Sequence, residues 1–197
     1  INHVVVFQDI TEKKAYEKTI WKQANYDSLT DLPNRAFFQQ RFPQSIQRAV
    51  SDQHQVAVFF LDLDHFKQIN DTFGHAAGDE LLQIASQRIV GVLRPADIVA
   101  RLGGDEFAIL ISDIKDVEQA KAVASKITTQ LAMPVQLSNG HEVQTSASIG
   151  ISIFPLDADD AELALKNADR AMYSVKQGGR NGYQLYNQAL NNLSMIN

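Results

Sequence analysis

The chain has 197 residues, 45% of them hydrophobic and 21% charged, which is enough for a full core and favours one domain of catalytic size with an appendage. Its net charge of −5 argues against a nucleic-acid partner, and the lack of cysteine excludes disulfides and thiolate metal sites. The sequence contains no apolar run that could span a bilayer and no signal peptide. We therefore expect a cytoplasmic domain without a membrane segment, while a membrane anchor elsewhere in the parent protein stays open.

Residues 1–26 predict a strand and a helix that precede the main domain. Val4-Val5-Val6-Phe7 is typical of a strand already under way at Ile1, so we expect the chain to be a piece of a larger protein. Asp9 or Thr11 can cap a helix from about 12 to 26 with a narrow apolar stripe. The stripe either packs against the following domain or forms a short parallel coiled coil, and the sequence leaves both open.

Residues 27–187 predict an α+β domain. Pro33 suits the first turn of a helix that reaches about Val50, and the buried strand that follows ends at Asp62. Further helices are predicted over about 80–92, 116–131 and 159–176, and strands over 97–102, 107–111, 135–137, 142–143, 145–154 and, at the sheet edge, 183–186. This order predicts a mostly antiparallel sheet with helices on its faces.

An acidic turn between two apolar strands is the most informative feature of the sequence. In Arg101-Leu-Gly-Gly-Asp-Glu-Phe107 the two glycines can adopt positive φ and let a phosphate approach the backbone. If the strand that ends at Asp62 lies beside this turn, Asp62 and Asp105 offer carboxylates to a hard divalent cation, with Asp64 two residues further on. Such a site suits phosphoryl chemistry, whereas a Gly-Gly-Asp turn alone is more often a plain hairpin.

Several motifs in register resemble the GGDEF family of diguanylate cyclases. They are Asp27-Ser-Leu-Thr-Asp-Leu-Pro-Asn-Arg35, Asp62-Leu-Asp-His-Phe-Lys-Gln-Ile-Asn-Asp71, Gly74-His-Ala-Ala-Gly-Asp79, Arg101 to Phe107, Ser148-Ile-Gly150, Ala168-Asp-Arg-Ala-Met-Tyr173, Lys176 and Gly179-Arg-Asn181. One departure is Asp31, where the family often has glycine. The resemblance implies a nucleotidyl-cyclase-like variant of the ferredoxin-like fold and an enzyme that joins two GTP into cyclic di-GMP and pyrophosphate.

The resemblance also implies a site for Mg²⁺ or Mn²⁺. It assigns the metal ligands to Asp62, the backbone carbonyl of Leu63 and Asp105, and Asp105 is a second-choice proton acceptor because a metal-bound carboxylate is a weak base. Glu106 is carried over as a motif member with a supporting role. Lys67 fits a stabiliser of the transferring phosphate, with a solvated surface lysine as the alternative.

For the substrate and the product, the resemblance assigns two groups of residues. Asn70 and Asp79 bind guanine, and His75 lies near the nucleotide. Lys176 and Arg180, one helical turn apart, hold the terminal phosphates. Arg94 and Asp97 form an inhibitory Arg-x-x-Asp site for cyclic di-GMP. Without the resemblance, Asn70 favours a turn, Asp79 a helix N-cap, and the Arg94–Asp97 pair a surface ion pair. A structural histidine is an equal alternative for His75.

The resemblance sets domain boundaries and partners as well. Residues 1–26 are expected to be the end of a PAS sensor domain and a linker helix, with a hairpin remnant as the alternative; residues 27–187 the GGDEF domain; and residues 188–197 a tail. A two-fold homodimer is implied because each domain holds one GTP, and an upstream sensor in the same chain is expected to regulate it. The competing functions are a catalytically idle module that binds GTP or cyclic di-GMP, and a linker unit that serves a downstream phosphodiesterase domain.

Overall fold

The structure, a computed structural model, describes residues 11–187, which form six α-helices and seven β-strands. The helices are α1 Thr11–Asn25, α2 Arg35–Asp52, α3 Phe66–Phe73, α4 His75–Val92, α5 Val117–Leu131 and α6 Ala161–Gln177. The strands are β1 Gln55–Asp64, β2 Ile98–Gly103, β3 Glu106–Ile114, β4 Val135–Gln136, β5 Glu142–Val143, β6 Ser146–Phe154 and β7 Gly182–Leu185. The strand predicted over residues 1–9, on which the likeness to a PAS domain depends, and the tail 188–197 lie outside the described residues.

Five strands form one sheet in the order β2-β3-β1-β6-β7, and β4 and β5 form a separate hairpin. β1 pairs antiparallel with β3 and β6, β2 pairs antiparallel with β3, and β7 runs parallel to β6 at the edge. Helices α3 and α4 join β1 to β2, a tight turn joins β2 to β3, and α5 with the small hairpin joins β3 to β6. This is the ferredoxin-like split arrangement, to which α6 and β7 are added. The predicted α+β class with a mostly antiparallel sheet is thus confirmed. No helix within residues 11–187 is long and apolar enough to cross a membrane.

Helices cover both faces of the sheet because β1 is apolar on both sides. Successive strand residues point to opposite faces. Two cores result: Ala57, Phe59, Leu61 and Leu63 pack with α4 and α5, and Val56, Val58 and Phe60 pack with α2 and α6. By the same alternation Asp62 and Asp64 lie on the face that α2 and α6 cover.

Helix α6 approaches β6 so closely that position 150 has no room for a side chain. A Cβ on Gly150 would lie 1.8 Å from the carbonyl oxygen of Ala168 and 2.2 Å from the amide nitrogen of Met172. Glycine at this position therefore lets α6 lie directly on the sheet. Lys176, in the last turn of α6, reaches the end of β1 as a result.

Two predicted boundaries near the domain entrance are wrong. Pro33 is not in a helical turn: it forms a bridge with Tyr26, its carbonyl oxygen accepts from the amide of Arg101 at 2.9 Å, and α2 begins at Arg35 after the N-cap Asn34. The strand predicted to end at Asp62 continues to residue 64, because its pairing with β6 runs two residues further. In both places hydrogen bonds to a distant strand, β2 for Pro33 and β6 for the end of β1, outweigh the local preference on which the prediction was based.

The start of α4 was also predicted wrongly. The sequence predicted a helix from about residue 80, whereas α4 begins at His75, directly after Gly74 at φ 87°. Gly78, read as part of a loop, lies buried inside the helix. A Cβ there would meet the side-chain oxygen of Asn70 at 1.9 Å, so this glycine serves close packing between α3 and α4.

The C-terminal end of the linker helix α1 packs on the domain. The ring of Trp21 lies 5.6 Å from that of Tyr26 and 6.4 Å from that of Phe37. Ile20, which directly precedes Trp21, is 47% exposed, and Tyr16, about one turn before Ile20, is 69% exposed. Trp21 therefore packs against the domain, and Tyr16 and Ile20 are exposed and available for a coiled coil.

We expect Gly150→Ala to destabilise the fold by about 3 kcal/mol or more, because the added methyl group collides with the backbone of α6. Gly91→Ala in α4 is the matched control. A Cβ at position 91 meets nothing within 4 Å, so the same methyl group should stabilise the helix by up to about 1 kcal/mol. Urea unfolding measures both variants, and an unchanged midpoint for Gly150→Ala would contradict this packing.

Candidate functional site

The acidic turn and the end of β1 meet at one edge of the sheet. In the pairing of β1 with β3, Asp62 lies opposite Glu106, and the amide of Leu63 donates to the carbonyl oxygen of Asp105 at 3.3 Å. The two glycines before Asp105 have φ values of 141° and 54°, which residues with a Cβ rarely adopt. The glycines allow the turn to fold back, and Asp105 comes to lie beside Asp62.

Asp62 is an almost buried carboxylate, only 9% exposed. Burial raises the pKa of Asp62, and the negative charges of Asp105 and Asp64 raise it further. The Lys176 ammonium opposes this shift, since its Nζ lies 2.8 Å from Oδ2 of Asp62. Negative charge is therefore concentrated at this point and attracts a cation.

Asp64, two residues further along the same face, is satisfied by the protein itself. Its carboxylate accepts hydrogen bonds from Ser146 Oγ at 2.5 Å, Ser148 Oγ at 2.7 Å and the amide of Asn181 at 3.0 Å. It is 1% exposed. Asp64 therefore fastens β1, β6 and the segment after α6 together, a structural role that the spacing Asp-x-Asp alone does not reveal.

The oxygen atoms at Asp62 and Asp105 fit a hard divalent cation. Within residues 11–187 no three His, Asp or Glu side chains converge on one point. Mg²⁺ does not require such a cage, since it is usually held by one or two carboxylates together with phosphate oxygens of a substrate. A raised carboxyl pKa beside a second carboxylate is the electrostatic condition that a bound cation relieves.

The side chain of Arg101, the first residue of the acidic turn, holds the turn in place through contacts with Gly104 and Asp27. Its Nε donates to the carbonyl oxygen of Gly104 at 2.9 Å, and its Nη1 lies 3.0 and 3.1 Å from the two carboxylate oxygens of Asp27. Asp27 also accepts from the amide and hydroxyl of Thr30. The motif that begins at Asp27 therefore anchors the acidic turn, a contact between two motifs that the sequence does not reveal.

Arg35 was not predicted as a site residue. Its Nε donates to the carbonyl oxygen of Leu102 at 3.0 Å, and its Nη2 lies 3.5 Å from Oε2 of Glu106. The guanidinium therefore sits at the outer side of the acidic turn and contacts the acidic residue that follows Asp105. Arg35 is the last residue of the motif that begins at Asp27, and this was the available signal in the sequence. Only the fold brings its side chain to Glu106 of β3.

Helices α3 and α4 carry four predicted site residues. Lys67 lies in the first turn of α3, exposed, and His75 is the first residue of α4, exposed as well. Asn70 lies inside α3 and is half-buried against α4, whereas Asp79, inside α4, is exposed. The alternatives of a turn at Asn70 and an N-cap at Asp79 are therefore wrong, and the role of His75 stays a prediction.

Lys176 and Arg180 were predicted to lie one helical turn apart, and this prediction is wrong. Helix α6 ends at Gln177, and Arg180 follows with φ 66°, its amide donating to the carbonyl oxygen of Val175 at 2.9 Å. Two glycines, the first of them the C-cap, terminate the helix before Arg180 is reached. Lys176 faces Asp62, and the exposed Arg180 lies on the loop that leads to Asp64's partner Asn181.

Arg94 and Asp97 lie at the opposite end of β2 from the acidic turn. β2 has six residues, so roughly 20 Å separates its two ends. The carboxylate of Asp97 accepts from the backbone amide of Arg94 at 2.9 Å; burial raises the pKa of Asp97. Asp97 also lines a groove of about 480 Å³ together with Arg41 and Arg48, two residues that were not predicted to lie near it.

Comparisons with known proteins agree with this geometry. A family model described as "Diguanylate cyclase, GGDEF domain" matches residues 24–182. The diguanylate cyclase TpbB of Pseudomonas aeruginosa (strain PAO1) is 46% identical over 163 residues, which are 83% of this chain and 38% of TpbB. The bifunctional diguanylate cyclase/cyclic di-GMP phosphodiesterase MucR of the same strain is 44% identical over 168 residues, 85% of this chain and 24% of MucR.

A solved structure supports the fold directly. The isolated GGDEF domain of TpbB from P. aeruginosa superimposes with a TM-score of 0.84 at 43% identity, covering 86% of this chain and 99% of that domain. The chain thus spans less than two fifths of the length of TpbB and of MucR.

We expect Asp27→Asn to destabilise the domain by about 1–3 kcal/mol, because it removes a charge-assisted contact of Arg101 that is largely shielded from water. Burial by itself raises the pKa of Asp27, but the hydrogen bonds from Thr30 and the Arg101 charge outweigh it and lower the pKa below 3.8. The stabilisation is therefore present above this pH and is lost as the pH falls through the lowered folded-state value. Denaturant unfolding from pH 7 to pH 2.5 should show the gap between parent and variant closing below about pH 4.

Asp52→Asn serves as the control, since Asp52 is exposed at the end of α2. It should leave stability unchanged within about 0.5 kcal/mol. An Asp27→Asn variant as stable as this control at pH 7 would show that the contact contributes nothing.

Proposed function

Because the chain belongs to the GGDEF family of diguanylate cyclase domains, we propose that it condenses two GTP into cyclic di-GMP with release of pyrophosphate. The observation that carries the proposal is the convergence of Asp62 with the Gly-Gly-Asp turn, where burial and a second carboxylate raise a carboxyl pKa. An idle receptor module has no need for this concentration of negative charge beside a loop open to a phosphate. The charge therefore favours the enzyme over the receptor.

The metal proposed for this site is Mg²⁺ or Mn²⁺, held by Asp62, Asp105 and the carbonyl oxygen of Leu63. When bound, it supplies positive charge that acidifies the attacking ribose hydroxyl and neutralises the leaving pyrophosphate. Lys176 then has a second role: its ammonium, 2.8 Å from Asp62, is free to turn to the triphosphate once the carboxylate has another cation.

The remaining residues orient the nucleotide. Asn70 and Asp79 present an amide and a carboxylate from two adjoining helices, a combination that matches the donors and acceptors of guanine. Arg180, exposed after α6, and Lys67, exposed on α3, supply positive charge toward the phosphates. The 3′-hydroxyl of the second GTP attacks the α-phosphate, and its proton passes to Asp105 or to solvent.

A complete reaction requires a two-fold pair of domains, since each holds one GTP and the product contains two phosphodiester bonds. The exposed Tyr16 and Ile20 of α1 offer an apolar surface for such a pairing. A sensor preceding α1 would regulate turnover through this helix.

Asp105→Asn should reduce cyclic di-GMP formation at least about 100-fold, because it removes a charged ligand from the proposed metal site. The assay incubates protein with GTP and MgCl₂ and separates the nucleotides chromatographically. Asp113→Asn, an exposed carboxylate at the far end of the same strand, is the matched control and should retain full activity. Equal turnover by both variants, or turnover by the parent in excess EDTA, would overturn the proposal.

Arg94→Ala should leave the initial rate unchanged and raise the cyclic di-GMP concentration needed for half-inhibition about tenfold or more. Arg94 is exposed and roughly 20 Å from the acidic turn, whereas Asp97 also caps its own turn, so Arg94 is the cleaner substitution. Lys126→Ala on α5 controls for lost surface charge. Inhibition by added product that matches the parent would remove the inhibitory site from the proposal.

A further inference from the structure

The small β4–β5 hairpin is tied to helix α4 at two points. At its tip, Ser138 donates to the Glu80 carboxylate from its amide, at 2.9 and 3.1 Å to the two oxygens, and from its hydroxyl at 2.8 Å. At its base, the Arg88 guanidinium donates to the carbonyl oxygens of Met133 and Pro134 at 2.6 and 2.7 Å. Glu80 and Arg88 are eight positions apart in one helix, about 12 Å, so the hairpin lies along α4.

An apolar cluster fills the space between the hairpin and the helices. Its members, all less than a tenth exposed, are Ile69, Ala77, Leu81, Val135, Leu137 and Val143. The rings of Phe73 and His141 meet beside it, 5.3 Å between centroids. Because these contacts involve residues of α3 as well as α4, the hairpin spans the junction of the two helices at Gly74.

That junction is a single residue long. Helix α3 has eight residues, and one glycine at φ 87° joins it to α4. Because glycine adopts many backbone conformations, the junction by itself does not fix the angle between the two helices. The angle is therefore set by side-chain contacts, which are those of Asn70 with Gly78 and those of the apolar cluster that includes the hairpin.

The same two helices carry the residues proposed to read guanine. Asn70 comes from α3 and Asp79 from α4, and Glu80 is the residue directly after Asp79. Both side chains must reach one purine ring at hydrogen-bond distance. Their relative position, and therefore the affinity for the base, depends on the angle between α3 and α4.

We propose that the β4–β5 hairpin is a splint that holds α3 and α4 at the angle needed for guanine binding, and that Glu80 is its main positioning residue. The inference rests on the proposed function, because it concerns the same nucleotide. Hydrogen bonds to an ionised carboxylate are stronger than neutral ones, and a misplacement of about 1 Å at a binding group can cost up to 100-fold. Glu80 does not touch the nucleotide; it acts through Asp79 and Asn70.

The test measures binding and turnover separately. Calorimetry with MgCl₂ and a GTP analogue that carries a methylene group between the α- and β-phosphates gives the affinity, and steady-state assays with GTP give kcat and KM. We expect Glu80→Ala to weaken analogue binding and raise KM about tenfold, while kcat stays within about twofold. Discrimination against the inosine counterpart, which lacks the 2-amino group, should fall because Asp79 no longer meets that group.

Ser138 provides a graded comparison. Ser138→Ala removes the hydroxyl bond and keeps the two amide contacts, so affinity should fall only about two- to threefold. The double variant should match Glu80→Ala, since both changes act on one contact. Glu142→Ala, an exposed carboxylate on β5 of the same hairpin, controls for lost charge and should bind like the parent.

The outcomes separate the splint from the proposed function. A parent protein that does not bind the guanosine analogue would overturn both proposals. A parent that binds, together with a Glu80→Ala variant of equal affinity, or one that loses kcat and keeps KM, would overturn the splint alone. If Glu80→Ala does not fold by thermal melting, Glu80→Gln and Ser138→Ala decide the question with the same measurements.

Discussion

The concentration of negative charge at the end of β1 is the constraint around which this domain is arranged. Asp62 is almost buried beside Asp105, and burial together with a like charge makes its ionised form costly unless a cation is near. The fold supplies Lys176 from α6 for this purpose, and the absence of a side chain at Gly150 lets α6 come close enough. A site that needs a cation and sits under an open glycine turn is suited to the chemistry of a nucleoside triphosphate. The proposed activity follows from this electrostatic arrangement rather than from the size or shape of a cavity.

Two arginines connect the acidic turn to a distant part of the chain. One belongs to the turn itself, and the other begins α2. Arg101 links the carbonyl oxygen of Gly104 to Asp27, and Arg35 links the carbonyl oxygen of Leu102 to Glu106. Both contacts connect the turn to the segment that follows α1. Hydrogen bonds therefore connect the acidic turn, which contains a proposed metal ligand, to the segment directly after the linker helix.

The residues proposed to bind guanine are arranged differently, on helices α3 and α4, which meet at a glycine. The relative position of Asn70 and Asp79 depends on side-chain packing between these helices and on the hairpin that lies across them. The proposed metal ligands thus lie at a sheet edge, and the residues proposed to bind the base lie on a helix pair. The inhibitory residues proposed at Arg94 and Asp97 lie on neither unit, at the far end of β2, which allows product to act without competing for the same atoms.

Patterns in the sequence were sufficient to assign the α+β class, most strand and helix positions, and the residue types that hard cations and guanine require. Apolar periodicity and glycine placement are local properties, and the likeness of whole motifs to a known family identifies chemistry that periodicity cannot. The folded structure was needed to establish that α4 starts at His75, that β1 runs on to Asp64, that Arg180 lies beyond α6, and that Arg35 and Asp27 support the acidic turn. The extension of β1 and the support of the turn depend on hydrogen bonds between residues far apart in the chain, and such contacts leave no periodic trace in a single sequence. The start of α4 and the end of α6 depend on nearby glycines, whose roles in packing and helix termination residue type alone does not distinguish.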